Sequence, residues 1–235
     1  MAPAARWSTS PVLFLLLLLA AATATTTTTA KDGHPSPTPW PERFHAVLFT
    51  NLTNYTEAST GPPLRVTDLY YDWPRRRNLN LVRHQLSADP LYDVEWNNGT
   101  GFYFDSKACR VEQFPVGVLP PWWLSGGGAE YVGRRVAGGI DCHVWGKAGF
   151  IFYYEEARTG RPVRWDFVDV TGIQQFVMSF EPGAALEDDA QWQAPAYCFP
   201  DDDDAARSSG EEEAGVGLEA ASRLLRKLAG AAATY

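Results

Sequence analysis

From residue 66 to residue 182, outside 114–133, the apolar and polar positions alternate with a period of two. In "VTDLYYDW", Leu69, Tyr71 and Trp73 alternate with Asp68, Tyr70 and Asp72. "NLNLVRHQL" sets Leu79 and Leu81 on one face and Asn78, Asn80 and His84 on the other. "LYDVEW" places Tyr92, Val94 and Trp96 opposite Asp93 and Glu95. "GFIFYYEEA" and "RPVRWDFVDV" follow, separated by the turn Arg158-Thr159-Gly160, and "QQFVMSFEP" puts Phe176, Met178 and Phe180 on one face. Short runs of this kind between turn signals predict antiparallel strands. No amphipathic helix lies between them, which argues against a parallel βαβ sheet. Long strands crowded with aromatic residues predict a mainly β fold, a curved antiparallel sheet or half-barrel around an apolar cavity. Asn98-Gly99 between two such runs is a hairpin signal. The stretch "FPVGVLPPWWLSGGGAEYVG", residues 114–133, breaks the period and predicts an irregular crossover with Trp122-Trp123 exposed or capping a mouth.

The flanks differ from this β domain, which is expected over 42–200. Residues 1–24 carry Arg6, the apolar run Val12–Ala22 and a small-x-small site at Ala22-Thr23-Ala24. That order of features is a cleavable signal peptide, and the apolar run is shorter than the roughly 20 residues a bilayer crossing needs. Residues 25–41 are rich in Thr and Pro and read as a linker. Residues 201–217 form an acidic, disordered tether, and Leu218, Ala221, Leu224, Leu225 and Leu228 predict a marginal helix over 218–230. The expected location is the secretory pathway, with an extracellular or vacuolar destination.

Charge and compartment narrow the partners. The chain holds 20 Lys and Arg against 28 Asp and Glu. Such an acidic balance argues against nucleic acid and anionic membranes, and no transmembrane span is expected. Arg75-Arg76-Arg77 is the one basic cluster and reads as a solvated turn. In the secretory pathway the sequons at Asn51, Asn54 and Asn98 become candidate glycosylation sites, and the hairpin tip gives Asn98 the room a glycan needs. Three cysteines, Cys109, Cys142 and Cys198, allow one disulfide and leave one thiol. Cys142 sits in the alternating "GIDCHVW", which suits a buried thiol. No His or Cys spacing suits a metal, and no cofactor is expected.

"LYYDWPRRRNLN", "LYDVEWNNGTGFYF", "DCHVWGKAGFIFYYEEARTGRPVRW" and "SFEPGAALEDDAQWQAPAYCF" together resemble a plant family of secreted proteins named as transferases of glycosyl groups. A more distant resemblance is to ependymin-related proteins, through Tyr71-Asp72 with Arg75–Arg77 and through Gly183 to Cys198, where Asp189 replaces a proline of their pattern. This second resemblance implies a curved sheet like that of bacterial lipoprotein carriers, enclosing an apolar pocket. It also implies a disulfide between Cys109 and Cys198.

Three functions fit these residues, and the leading expectation is a secreted glycoprotein that binds an apolar or lipid-like ligand. An apolar or lipid-like ligand would lie in the concavity against Tyr71, Leu81, Trp96, Phe104, Phe152, Trp165 and Phe180, although the same aromatics could simply pack together. A carbohydrate-active enzyme, a glycosyl-group transferase or glycosidase, would need paired carboxylates. Asp93 and Glu95, two residues apart on one strand face and about 6–7 Å between Cα atoms, are candidates, with Asp72 on a neighbouring strand. Carboxylates alternating with apolar residues also describe a solvated sheet face. A non-catalytic carbohydrate-binding module would instead stack sugars on Trp122, Trp123 or Trp192.

Overall fold

The computed structural model describes residues 33–52, 63–168 and 173–199. The expected signal peptide, acidic tether and terminal helix, and Asn54, lie outside them. The period-two stretches are strands: β1 Arg43–Asn51, β2 Leu64–Asp72, β3 Arg77–His84, β4 Leu91–Trp96, β5 Thr100–Phe104, β6 Cys109–Gln113, β7 Ala129–Ala137, β8 Ile140–Lys147, β9 Ile151–Glu156, β10 Pro162–Phe167 and β11 Ile173–Pro182. All belong to one antiparallel sheet in the order β6-β5-β4-β3-β2-β1-β11-β10-β9-β8-β7. Two meanders, β1–β6 and β7–β11, are therefore joined side by side through β1 and β11. The sheet is open, with β6 and β7 as its edges.

The sheet is strongly curved. Tyr71 on β2 and Tyr153 on β9 are four strand spacings apart, about 19 Å across a flat sheet. Yet their rings lie 5.6 and 6.3 Å from the same Trp40 ring. One face is therefore concave. The crossover after β6 has to travel from one edge of the sheet to the other, and it does so across this concavity.

Which residues enter the trough follows from the strand register. On the concave side of β1 are Phe44, Ala46 and Leu48, facing Tyr71, Leu69 and Thr67 of β2. Trp165, Tyr153 and Trp145 continue the row through β10, β9 and β8. Trp40, Val118, Trp123 and Leu124 fill the space above them, so this half of the trough holds a core made from both walls and the crossover. The end of the stretch read as a linker is thus part of the core. Trp40 donates from its indole to the Tyr153 hydroxyl at 3.1 Å, and the Thr38 amide donates to the buried Glu155 carboxylate at 3.0 Å.

Beyond β2 the pattern turns over. Leu79, Val94 and Phe104 point to the convex side, where they pack with Trp192 and the Cys109–Cys198 bridge. The C-terminal residues 183–199 form a strap over that face, with 3-10 turns at Asp189–Trp192 and Ala196–Cys198. Trp192 is fully buried, with the Arg77 guanidinium 4.1 Å above its ring. Arg77 also pairs with Asp189 at 2.9 Å and with the buried Asp72 at 3.2 Å. The arginine run is not a solvated turn at Arg77, because that side chain clamps the strap. In β11 a bulge between Val177 and Ser179 sends Phe176 to the convex side and Phe180 to the concave side, so they do not share a face.

Candidate functional site

Of the residues expected to wall an inner pocket, Tyr71, Trp165 and Phe180 lie on the concave face and Leu81, Trp96, Phe104 and Phe152 on the convex one. The alternation separates two faces correctly but carries no information on which one curves inward. Tyr71 and Trp165 lie within the apolar core with Trp40 and Trp123. The crossover is held over them by the Tyr71 hydroxyl donating to the Leu119 carbonyl at 2.7 Å and by the Trp40 amide donating to the Pro121 carbonyl at 2.9 Å. Lys147 adds bonds to the carbonyls of Trp123 and Gly127 at 2.6 and 2.7 Å.

The other half of the trough, over β3–β6, is polar. Register places Asn78 opposite Glu95 and Asn80 opposite Asp93, then Asp93 opposite Tyr103 and Tyr103 opposite Arg110, all on the concave face. The Asn78 amide donates to Glu95 at 3.3 Å and the Asn80 amide to Asp93 at 3.1 Å. The Tyr103 hydroxyl stands beside Asp93. Arg110 lies 5.8 Å from the Tyr103 ring, its Nε 3.0 Å from Glu112. Asp93 Oδ1 and Arg110 Nη2 are buried with no hydrogen-bond partner.

Phe114 closes this half from above. Its amide donates to the Gly99 carbonyl at 2.7 Å, and its ring lies 3.0 Å from where a Cβ on Gly101 would stand. Gly117 lies so close to the Asn97 backbone that any side chain there would overlap it. Next to Glu95, between the Gly99-Thr100 turn and Phe114, Val116 and Gly117, is a cavity of about 10 Å³. That is the size of a single water.

The electrostatics follow from the burial. Desolvation raises the Asp93 carboxyl well above the usual carboxylate range, and the neighbouring Glu95 charge raises it further. Glu95 is pushed up to about 7 by burial, against the lowering effect of the Asn78 bond. The two titrate as a pair, holding a proton toward neutral pH. Burial, then Asp93 and Glu95, keep the Tyr103 phenol protonated. The pair is therefore not a fully solvated sheet face, because protein surrounds it even though solvent still reaches both side chains.

Asp72 does not join this pair. It points to the convex side, fully buried, within reach of Arg43, Arg75 and Arg77 at 3.2, 3.6 and 3.2 Å. It is a structural anchor. Trp123 and Trp192 are buried, so neither can stack a sugar in this state. Trp122 is 50% exposed and meets Trp73 edge-on at 5.5 Å. Cys109 and Cys198 are bonded, with Cα atoms 5.3 Å apart, and Cys142 is a buried thiol. Asn98 is exposed at the tip of the β4–β5 hairpin, where its side chain accepts from the Thr100 amide at 2.9 Å. Asn51 is exposed at the end of β1.

The sequence reading missed Asn78, Asn80, Tyr103, Arg110 and Phe114 as partners of the carboxylates. Cross-strand counting back from a two-residue Asn98-Gly99 turn would pair Asp93 with Phe104; the loop also includes Asn97, and that one residue sets Asp93 opposite Tyr103. Asn80 and Arg110 need the registers of the next two ladders.

Among the described residues no group of three or more His, Cys, Asp or Glu could hold a metal ion. No helix among them is long and apolar enough to cross a membrane. No curated protein matches the chain. An uncharacterized conserved protein from Thermus thermophilus aligns over 66% of this chain and 87% of its own at 13% identity, with a TM-score of 0.46. A family model described as a domain of unknown function, DUF8395, matches residues 39–198, the span of the whole sheet and its strap. The chain belongs to the DUF8395 family.

Proposed function

We propose that this is a secretory-pathway glycoprotein that binds a small, hydroxyl-rich ligand of the carbohydrate class in the polar half of its trough. One observation carries the reading. Asp93 and Glu95 stand desolvated inside a concavity, with an acceptor on Asp93 and a donor on Arg110 left unpaired. A buried group with unmet bonds costs about 1–3 kcal/mol, a cost a purely structural sheet would shed by placing Asn or Ser there. Sugar hydroxyls both donate and accept, so they suit the unpaired atoms on both sides. Asn78 and Asn80 hold the carboxyls in place. A glycan array with isothermal titration of any hit tests the reading. Binding should fall at least about tenfold in Asp93→Asn, and an array without hits would reject it. Turnover of a bound glycoside, lost in Glu95→Gln, would make the site catalytic and return the glycosyl-transfer alternative.

A second reading, the apolar or lipid-like ligand, is favoured by the aromatic lining of the other half. There the occupant is now the chain's own Trp40, Trp123 and Leu124. Uptake would require the crossover to leave, breaking the Tyr71–Leu119 and Lys147–Trp123 bonds. A fluorescent fatty-acid probe distinguishes the two: uptake that strengthens in Tyr71→Phe supports this reading, and no uptake by either protein rejects it.

A further inference from the structure

We propose a second binding site in the trough, in which Arg65, Thr50, Gln175 and His84 receive the carboxylate of a small organic acid. Register sets Gln175 opposite Thr50, Thr50 opposite Arg65 and Arg65 opposite His84, so the four form one row across β11, β1, β2 and β3. They lie on the same concave face as Leu48 and Thr67. The row stands four residues along β3 from Asn80, about 13 Å away, and is independent of the site around Asp93. Each member can donate a hydrogen bond, and none is acidic.

Two separate observations point to an anion there. The first is a guanidinium without a partner. Five of the described arginines are withdrawn from solvent: Arg43, Arg65, Arg77, Arg110 and Arg164. Arg43 and Arg77 pair with Asp72, Arg110 with Glu112 and Arg164 with Asp166. Arg65 has neither a carboxylate nor a hydrogen-bond acceptor among the described residues, and burial alone acts on its charge. The second is Thr50, fully buried, whose hydroxyl has no hydrogen-bond partner. It faces Arg65 directly across the ladder, with the roughly 4.5–5.5 Å between Cβ atoms that such a pair has. A strand that needed only volume there would hold valine, which has the same shape and no hydroxyl to satisfy.

An unpaired hydroxyl beside an unpaired guanidinium is satisfied by one oxyanion. Arg65 presents paired N–H donors that match the two oxygens of a carboxylate, and the Thr50 hydroxyl can donate to the nearer one. Gln175 and His84 flank the pair and add neutral donors. Burial and then the Arg65 charge lower the His84 pKa, so its ring is neutral and Arg65 is the one positive charge of the row. A single positive charge suits a carboxylate better than a phosphate dianion, which would keep an uncompensated charge in a desolvated place. Arg65 is half-buried, so a solute can reach it from the trough.

Isothermal titration of the full chain near pH 7 tests this with acetate, benzoate, benzyl alcohol and inorganic phosphate. At least one of the two carboxylates should bind and benzyl alcohol should not, because only a charged acceptor engages Arg65 fully. Arg65→Gln should weaken the carboxylate at least about tenfold, and Thr50→Val about threefold or more, with melting still cooperative. Arg83→Gln, on the convex face of β3, should leave the affinity within about twofold. Should Arg65→Gln fail to fold, Thr50→Val decides alone, and an unchanged affinity there overturns the proposal. Carboxylate binding untouched by Arg65→Gln would also overturn it. So would benzyl alcohol binding as tightly as benzoate, phosphate binding more tightly than either carboxylate, or no carboxylate binding at all.

Discussion

In β1, β2, β9 and β10 most of the buried apolar side chains point into the trough, whereas in β3–β5 most point away from it. Both halves read alike in sequence, as strands alternating apolar and polar residues. They differ in what covers them. The crossover, with Trp40, lies inside the curve and makes the concave face of the first half a core. The strap, tied by Cys198 and clamped by Arg77, lies outside the curve and makes the convex face of the second half a core. The concave face of the second half lies under Phe114 and its neighbours, and it carries Asn78, Asn80, Asp93, Glu95, Tyr103 and Arg110. One half of the trough is filled by the protein, and the other is left to polar chemistry.

The largest effects should come from the two covers. Trp40→Ala removes a ring that touches five other aromatic rings. It should cost about 3–5 kcal/mol in urea unfolding, as should Trp192→Ala under the strap. A loss below about 1 kcal/mol in either would mean that the cover is not core. Next, replacing Cys109 and Cys198 together by Ser opens a loop of 89 residues and should cost about 2–4 kcal/mol. Its effect should concentrate in the second half, seen as faster amide exchange in β4–β6 than in β8–β10.

The polar face should respond with the opposite sign. Glu95 has a folded pKa of about 7, above its unfolded 4.5, so the native state binds more protons in that window. Stability should therefore be greatest below about pH 4.5 as far as this group is concerned, and fall as pH rises to about 7. Glu95→Gln removes this loss and should stabilise the domain by roughly 1–2 kcal/mol at pH 8, with little change at pH 4. Thermal melts across pH decide it, and a destabilised Glu95→Gln at pH 8 would contradict the strain assigned to the pair. The smallest effect is expected at the bulge of β11: Met178 is 66% exposed, and Met178→Lys should change stability by no more than about 0.5 kcal/mol.

Much of this architecture is legible in the chain. The period of two gives antiparallel strands because side chains alternate across a pleated sheet, and Asn98-Gly99 marks a hairpin because Gly99 takes the positive φ, 84°, that the tight loop needs. The separation of Asp93 and Glu95 from Tyr92, Val94 and Trp96 is equally fixed by alternation. Which face lies inside is not. That depends on where residues 114–124 and 183–199 come to rest, and neither has a period to read. Leu81, Trp96 and Phe104 are expected inward because apolar residues seek cover; Trp96 and Phe104 find it on the other face, beneath the strap, and Leu81 is half-buried on that face. Phe152 lies on the convex face of β9, its register set by pairing with Gly146 and Asp166. Phe176 and Phe180 part company at a single bulged residue, which alternation cannot foresee. Asp72 and Asp93 look alike in sequence, each an acid between apolar neighbours. Tertiary structure gives the first three arginines and the second the neutral Asn80 and Tyr103, and so makes one a clamp and holds the other protonated toward neutral pH. Local sequence fixes strand and face because both are set within a few residues. Curvature, cover and charge pairing join residues far apart in the chain, Thr38 and Glu155 by 117 positions and Trp40 and Trp165 by more, and only the folded chain brings those together.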